Sequence, residues 1–253
     1  MMTPSRTVAL ALLAVFPSLQ AADLAKGLAA VENKQWREAF AQFEPLAKRG
    51  DPRAEINLGN LYMRGLGVEQ DYALAHAWYE KAARHGHPTG QAKLGMMYLL
   101  GLGLNADPGE AARWFRRAAE NGDCGAAMVL AEMHENGDGV ERNPVEAFVW
   151  YSIATDLGEQ DGVDHKARLA DGLSPAQLNS ALTQINVWRV EYDKRSRDNA
   201  TTLAESAHDF PSPPSPKQEQ HGKRTRRGAN IRQDNSKPRS GLGGMDLDVK
   251  ANQ

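Results

Sequence analysis

Several stretches of this sequence carry residue types that chemistry uses. Gly65-x-Gly67, Gly101-x-Gly103 and Gly137-x-Gly139 are paired glycines of the kind that close a backbone around a phosphate. A dinucleotide site needs a third glycine and a strand ahead of the loop, and the residues before these pairs read as helices. The glycines are therefore expected to end helices, where positive φ carries no steric cost. His85-Gly86-His87 offers two imidazoles to a transition metal, but two ligands in a loop do not complete a site. No metal and no other cofactor is expected. His134-Glu135 begins like a metalloprotease helix, without the second histidine at the required spacing. No serine has a local signature with a histidine and an acid, and the many carboxylates fit a solvated helix surface. No catalytic residue is expected. The alternative, an envelope-polymer-directed hydrolase or binding enzyme, would gather side chains such as His134 with Glu132 and Glu135.

Two further features concern partners. His221-Gly222-Lys223-Arg224-Thr225-Arg226-Arg227 is dense in cations. Such clusters hold phosphate backbones by counterion release, and acidic proteins or anionic lipids as well. No aromatic residue follows Phe210 to stack on bases, so nucleic acid is not the expected partner. An anionic partner for the tail stays open. Cys124 is the single cysteine, so this chain relies on packing and not on disulfides. It reads as a half-buried side chain between repeats, with a reactive thiol as the sharper alternative.

The elements that must position these residues come from a repeat. Leu58-Gly59-Asn60-Leu61-Tyr62-Met63-Arg64-Gly65-Leu66-Gly67-Val68 recurs 36 residues on as Leu94 to Leu104, and 36 further on as Leu130 to Val140. Each copy is followed at fixed offsets by an Asp or Asn, an Ala, a Trp beside a second aromatic, further small residues and a Gly. A period in this range means stacked supersecondary units. The opening helix of each unit buries Ile56, Leu58, Gly59, Leu61 and Tyr62 or their equivalents at helical spacing. Gly59 and Gly95 each cost about 1 kcal/mol of helix propensity relative to alanine, which close helix contact would explain. The second helix starts on an acceptor: Asp71, Asp107 ahead of Pro108, and Asn143 ahead of Pro144, the latter two with glutamate three residues after the cap. Its face alternates Ala75, Trp78, Tyr79, Ala82 and Ala83. On this pattern Trp114→Ala is expected to cost about 3–5 kcal/mol.

The flanks follow the same logic less closely. Asp23 to Asn33 and Gln35 to Lys48 read as a divergent first helix pair, because Ala39, Phe43, Ala47 and Gly50 are in register with Ala75, Tyr79, Ala83 and Gly86. After Gly158 the period weakens. Val163 to Asp171 reads as a degenerate opening helix. Ser174 and Gln177 form a capping box for a terminal helix with an apolar stripe of Leu178, Ala181, Leu182, Ile185, Trp188 and Tyr192. At the start of the chain, Arg6, an apolar run from Val8 to Phe16 and Ala21-Ala22 read as a secretory signal, too short to span a bilayer. The expected organisation is a signal (1–22), a divergent pair (23–51), three repeats (52–158; about 52–87, 88–123 and 124–159), terminal helices (160–195) and a disordered Pro-rich and basic tail (196–253).

Charge divides the chain. The 253 residues have a net charge of −2, but residues 196–253 hold ten Lys/Arg against seven Asp/Glu, and residues 23–195 hold 19 against 25. An acidic body with a basic tail bears on partners, not on fold.

The L-G-x-x-Y-x-x-G-x-G-V pattern, with its Asp, Ala, Trp-aromatic, Ala-Ala and Gly, resembles the Sel-one-like repeat family, a subclass of the tetratricopeptide-repeat superfamily. The resemblance covers residues 39–158 firmly and implies an all-α, right-handed α/α superhelical solenoid whose concave face holds protein partners. Bacterial members often act as adaptors in the cell envelope, which with the signal implies an exported, periplasmic protein. By register with the family the opening helices face the concave side. Its exposed positions would be Asn57, Asn60, Arg64, Lys93, Met96, Leu100, Glu132 and Asn136, where Met and Leu among polar residues suit a peptide groove. Two departures stand out: Ala131 replaces the glycine, and His134 stands where Tyr62 and Tyr98 stand, so the third unit is expected to be looser or altered for use. The disulfide-rich, β-lactam-associated members do not bear on this chain, which lacks paired cysteines.

The function these observations favour is a non-enzymatic adaptor that binds a protein or peptide. An enzyme, or a tail-driven binder of anionic surfaces or nucleic acid, are the alternatives.

Overall fold

The computed structural model describes residues 23–208. The signal (1–22) and the Pro-rich and basic segments after residue 208 lie outside the described residues. Residues 23–32 form α1. There follow α2 (Trp36–Lys48), α3 (Pro52–Arg64), α4 (Tyr72–Arg84), α5 (Pro88–Leu100), α6 (Pro108–Glu120), α7 (Cys124–Asn136), α8 (Pro144–Asp156), α9 (Gly162–Gly172) and α10 (Pro175–His208). No strand occurs among the described residues. From α2 to α9 each helix packs on the next, and α10 turns back onto α8. The result is an all-α solenoid of helix pairs. The terminal helix passes Ser196, where the tail was expected to begin, and continues to His208.

The 36-residue period has a physical basis in the joints. From α3 to α8 every helix is 13 residues long. α3, α5 and α7 end on Gly65, Gly101 and Gly137, which sit in the left-handed region at φ 64°, 66° and 87°. The next helix starts on a side-chain cap. Asp71 accepts from Leu74 N at 2.9 Å, Asp107 from Glu110 N at 2.9 Å, and Asn143 from Val145 N and Glu146 N at 3.0 and 3.2 Å. The expected reciprocal bond from Glu110 to its cap does not form. Asp107 N donates instead to Tyr98 O at 2.8 Å, as Asp71 N does to Tyr62 O and Asn143 N to His134 O, and Glu110 pairs with Arg113. The cap residue thus ties the loop to the last turn of the preceding helix. Only a backbone carbonyl is needed there, so His134 serves in place of tyrosine.

Close helix approach accounts for the glycines inside the opening helices. A Cβ on Gly59 would lie 2.6 Å from Cδ1 of Tyr79, and one on Gly95 3.0 Å from the Phe115 ring. Tyr79, Phe115 and Tyr151 fill equivalent sites and are all but fully buried. Of the tryptophans one residue earlier, Trp150 is also buried, but the first two do not share that environment. Trp78 and Trp114 are only half-buried, and each lies under a cation, Lys81 at 3.8 Å and Arg117 at 4.6 Å from the ring centroid. Trp114 is therefore not the anchor expected from the sequence; Phe115 is.

The flanking elements close the ends. Ala39, Phe43, Leu46 and Ala47 of α2 pack with Leu24, Ala30, Ala54, Leu58 and Leu61. On α10, Ala181, Ile185 and Trp188 enter the core around α8, Leu178 and Tyr192 cover its rim, and Leu182 stays exposed. Ser174 and Gln177 make the expected capping box, with Gln177 N donating to Ser174 Oγ at 3.3 Å and Ser174 N to Gln177 Oε1 at 3.0 Å. No helix among the described residues is long and apolar enough to cross a membrane.

One pair inside the repeat sets a buried carboxyl against an exposed imidazole. Asn121 Nδ2 donates to Gln91 Oε1 at 2.9 Å within the second unit. At the same two positions of the first unit stand Glu55 and His85, 3.1 Å apart, with Glu55 only 1% exposed. Burial raises the Glu55 carboxyl above its ordinary 4.5, against the opposing pull of His85. A carboxyl raised by folding contributes its stability below its unfolded pKa and loses it as pH rises through the folded value. Glu55→Gln, which restores the neutral pair of the second unit, should therefore raise the urea midpoint at about pH 8 and leave it unchanged at about pH 4. An equal gain at both pH values would refute the ionisation argument.

Candidate protein-binding face

The residues proposed for binding divide among three helices in register: Asn57, Asn60 and Arg64 on α3, Lys93, Met96 and Leu100 on α5, Glu132 and Asn136 on α7. They are not equivalent in exposure. Arg64, Leu100, Glu132 and Asn136 are exposed, Leu100 to 50%. Asn57, Asn60, Lys93 and Met96 are half-buried. Asn57 Nδ2 donates to Arg53 O at 2.8 Å, and Asn60 Oδ1 accepts from the Tyr79 hydroxyl at 2.8 Å. Met96 lies against the core built around α6, α7 and α8. Burial holds the Lys93 ammonium below its ordinary range and the charge of Arg64 lowers it further. Burial raises the Glu132 carboxyl; His165 pulls it down and Glu135 pushes it up.

The third unit is altered, though not around His134. His134 is 7% exposed and accepts from Arg116 Nη2 at 3.3 Å. Its imidazole is held below its ordinary pKa by burial, with Glu146 opposing and Arg116 assisting. Trp150 is buried beside it and has Arg116 over its ring. The expectation of a looser unit is thus not met at this residue. Glu135, in contrast, turns to the other neighbour. Its carboxylate accepts from the Tyr151 hydroxyl at 2.8 Å, from Arg168 and from His165 Nδ1 at 3.3 Å. Burial would raise its carboxyl, but those hydrogen bonds bring it below the usual carboxylate range. His165 stacks on the Tyr151 ring at 4.8 Å. His134 and Glu135 therefore serve different neighbours, and the trio of His134, Glu132 and Glu135 is not gathered.

The residues missed here are the partners of Glu135: Tyr151, His165 and Arg168. One signal pointed to two of them. Adding one period to Val129 and Glu132 lands on His165 and Arg168, so α9 presents a fourth copy of the same face. The substitution of Gly59 by Ala131 explains why the tyrosine bonds differently. A Cβ now occupies the space that the Tyr79 ring uses, and Tyr151 reaches Glu135 where Tyr79 reaches Asn60.

The other singled-out groups separate as well. His85 faces Glu55, while His87 stands just ahead of α5 without a side-chain capping bond and is held below its ordinary pKa by burial. Cys124 is half-buried at the first turn of α7. No group of three or more His, Cys, Asp or Glu among the described residues is arranged to hold a metal ion.

Fold and face together define a helical-repeat solenoid built from 36-residue helix pairs. The model of the Sel1 repeat matches residues 52–87, 88–123 and 125–159. The three units are Sel1 repeats, a subclass of the tetratricopeptide-like helical repeats. Among solved structures, a Sel1 repeat protein from Oxalobacter formigenes is 31% identical with a TM-score of 0.54, over 56% of this chain and 59% of that one. The protein c5321, a protective antigen of uropathogenic Escherichia coli strains with the same repeat fold, is 30% identical with a TM-score of 0.57, over 72% of this chain and 38% of that one. The chain thus spans less than two thirds of the length of either. Among curated proteins none matches.

Proposed function

We propose that this chain is a non-enzymatic, exported scaffold that holds a protein or peptide partner on the concave face formed by α3, α5 and α7. Sel1 repeat proteins are commonly scaffolds for protein interaction. The observation that supports the reading here is the exposure of Leu100 beside half-buried Met96 among polar side chains of one helix face. Met and Leu in such a setting offer adaptable apolar contact, and the polar neighbours set register. Export to a bacterial periplasm rests on the basic and apolar pattern of residues 6–16.

Affinity capture from a native envelope extract tests this reading. Full-length protein should retain a partner that Met96→Asp or Asn60→Ala releases, by about tenfold or more in recovered amount. Retention after those changes, with loss on removal of residues 209–253, would move binding to the basic tail and defeat the groove.

A further inference from the structure

The third unit changes character on the side of its second helix. Val149 and Ile153 of α8 stand one period after Arg113 and Arg117, which are exposed on α6. Both apolar replacements are buried, at 4% and 1% exposure. α10 packs across that surface and reaches the end of α6, where Arg195 Nη2 donates to Glu120 O at 2.7 Å. It does not fill the space it covers. A cavity of about 450 Å³ remains between α6, α8 and α10, and Val187 on its rim is 52% exposed. That volume is in the range of ligand sites.

Two indoles line the cavity, Trp150 and Trp188, 4% and 9% exposed. Their ring faces have partners: the Arg116 guanidinium lies over Trp150, and Tyr192 stacks on Trp188 at 4.9 Å. Their N–H groups are buried and have no acceptor among the described residues. Buried donors without partners are uncommon in folded chains and call for an acceptor. Glu120, Glu146 and Glu191 line the same cavity, so it offers acceptors as well as donors. Its shape is elongated. Thr183, Val187, Glu191 and Arg195 follow at four-residue intervals along α10 and span about 18 Å, the length of about five residues of extended chain. A compact ligand would leave most of that length empty. An extended peptide matches it: carbonyls accept from the indoles, amides donate to the carboxylates, and one apolar side chain enters between Val149, Ile153 and Val187.

We infer that the cleft of α6, α8 and α10 is a second binding groove, which takes an extended peptide segment with a central apolar side chain. It is built from second helices and α10, so it is independent of the face of α3, α5 and α7 and gives the chain a second partner site.

The test uses the full chain, 15N-labelled, and the peptide acetyl-Ala-Ala-Leu-Ala-Ala-amide. The five tryptophans each give an indole N–H resonance, and Trp150→Phe and Trp188→Phe assign the two from the cavity. Titration to about 2 mM should shift those two downfield along a saturating curve and leave Trp36, Trp78 and Trp114 in place. Val187→Arg, at an exposed position, should weaken binding at least about tenfold without changing the urea midpoint. Trp188→Phe keeps a ring and removes one donor; read on Trp150, it should weaken binding about threefold or more. The inference is overturned if neither cavity resonance moves, if all five move alike, or if the shifts survive Val187→Arg. It is also overturned if acetyl-Ala-Ala-Ser-Ala-Ala-amide binds as tightly, or if acetyl-leucine methylamide does, since the groove would then hold a compact ligand. Met96→Asp should leave the titration unchanged; loss of binding there would move the peptide to the other face and remove the second groove.

Discussion

Phe115→Ala should lower the unfolding free energy by about 3–5 kcal/mol, while Trp114→Ala, one residue away, should cost about 1–2 kcal/mol. Both side chains are large aromatics on α6, and the sequence favours the tryptophan. Phe115 is 1% exposed in a core shared by α6, α7 and α8. Its ring lies against Gly95, where a Cβ would come within 3.0 Å. Deleting it leaves a cavity between helices that are held apart by their other contacts, so relaxation fills little of it. Trp114 is half-buried, with Arg117 over its exposed face. Its removal is largely made good by solvent, and the cation–π contact at an exposed site is worth about 0.5–1 kcal/mol. Urea unfolding monitored by circular dichroism measures both costs. Equal costs, or a larger one for Trp114, would show that burial in this array is misassigned.

The same pair of residues marks where the sequence stops being informative. Period, helix order and joints are legible because each depends on local chemistry repeated three times. Asp107 before Pro108, or Gly101 after Leu100, has one physical use, and its recurrence fixes the register. Which of two adjacent aromatics is buried depends on the rotation of the helix by a fraction of a turn. Trp114 and Phe115 differ by about 100° around α6, and the alternation of Ala111, Ala118 and Ala119 is compatible with either. The neighbouring glycine decides it, and that contact spans 20 residues of sequence.

The face was legible in outline and not in detail for a related reason. Register places Asn60, Met96 and Glu132 in one column. It does not say that Tyr79 occupies the carbonyl of Asn60, or that Ala131 displaces Tyr151 toward Glu135. Nor does the local pattern around His134 show that Arg116 will take up its imidazole, since that arginine comes from the preceding unit.

Gly139→Ala is expected to cost about 3 kcal/mol, against about 1 kcal/mol for Gly137→Ala two residues earlier. Both glycines have positive φ, 71° and 87°, so each alanine meets the left-handed penalty of roughly 1–2 kcal/mol. They differ in what surrounds them. A Cβ on Gly137 would come no nearer than 3.4 Å to any atom, the Arg142 Cβ, an ordinary contact, whereas one on Gly139 would lie 2.6 Å from the Pro108 carbonyl oxygen. Pro108 opens α6, the second helix of the preceding unit, and backbone there cannot step aside without moving the whole helix. The relation recurs: Gly103 is set against Tyr72 at the start of α4, and Gly67 against Trp36 at the start of α2. The first glycine of each G-x-G therefore ends a helix, and the second lets each unit's loop press against the one before it. A phosphate-binding loop would need its backbone amides open to a ligand, and here the neighbouring repeat already occupies that approach. If the two variants unfold at the same urea concentration, the inter-repeat contact contributes nothing and the second glycine is free for another use. A drop confined to Gly139→Ala, accompanied by a lower m-value as one end of the array unfolds ahead of the other, would show that this contact transmits cooperativity along the solenoid.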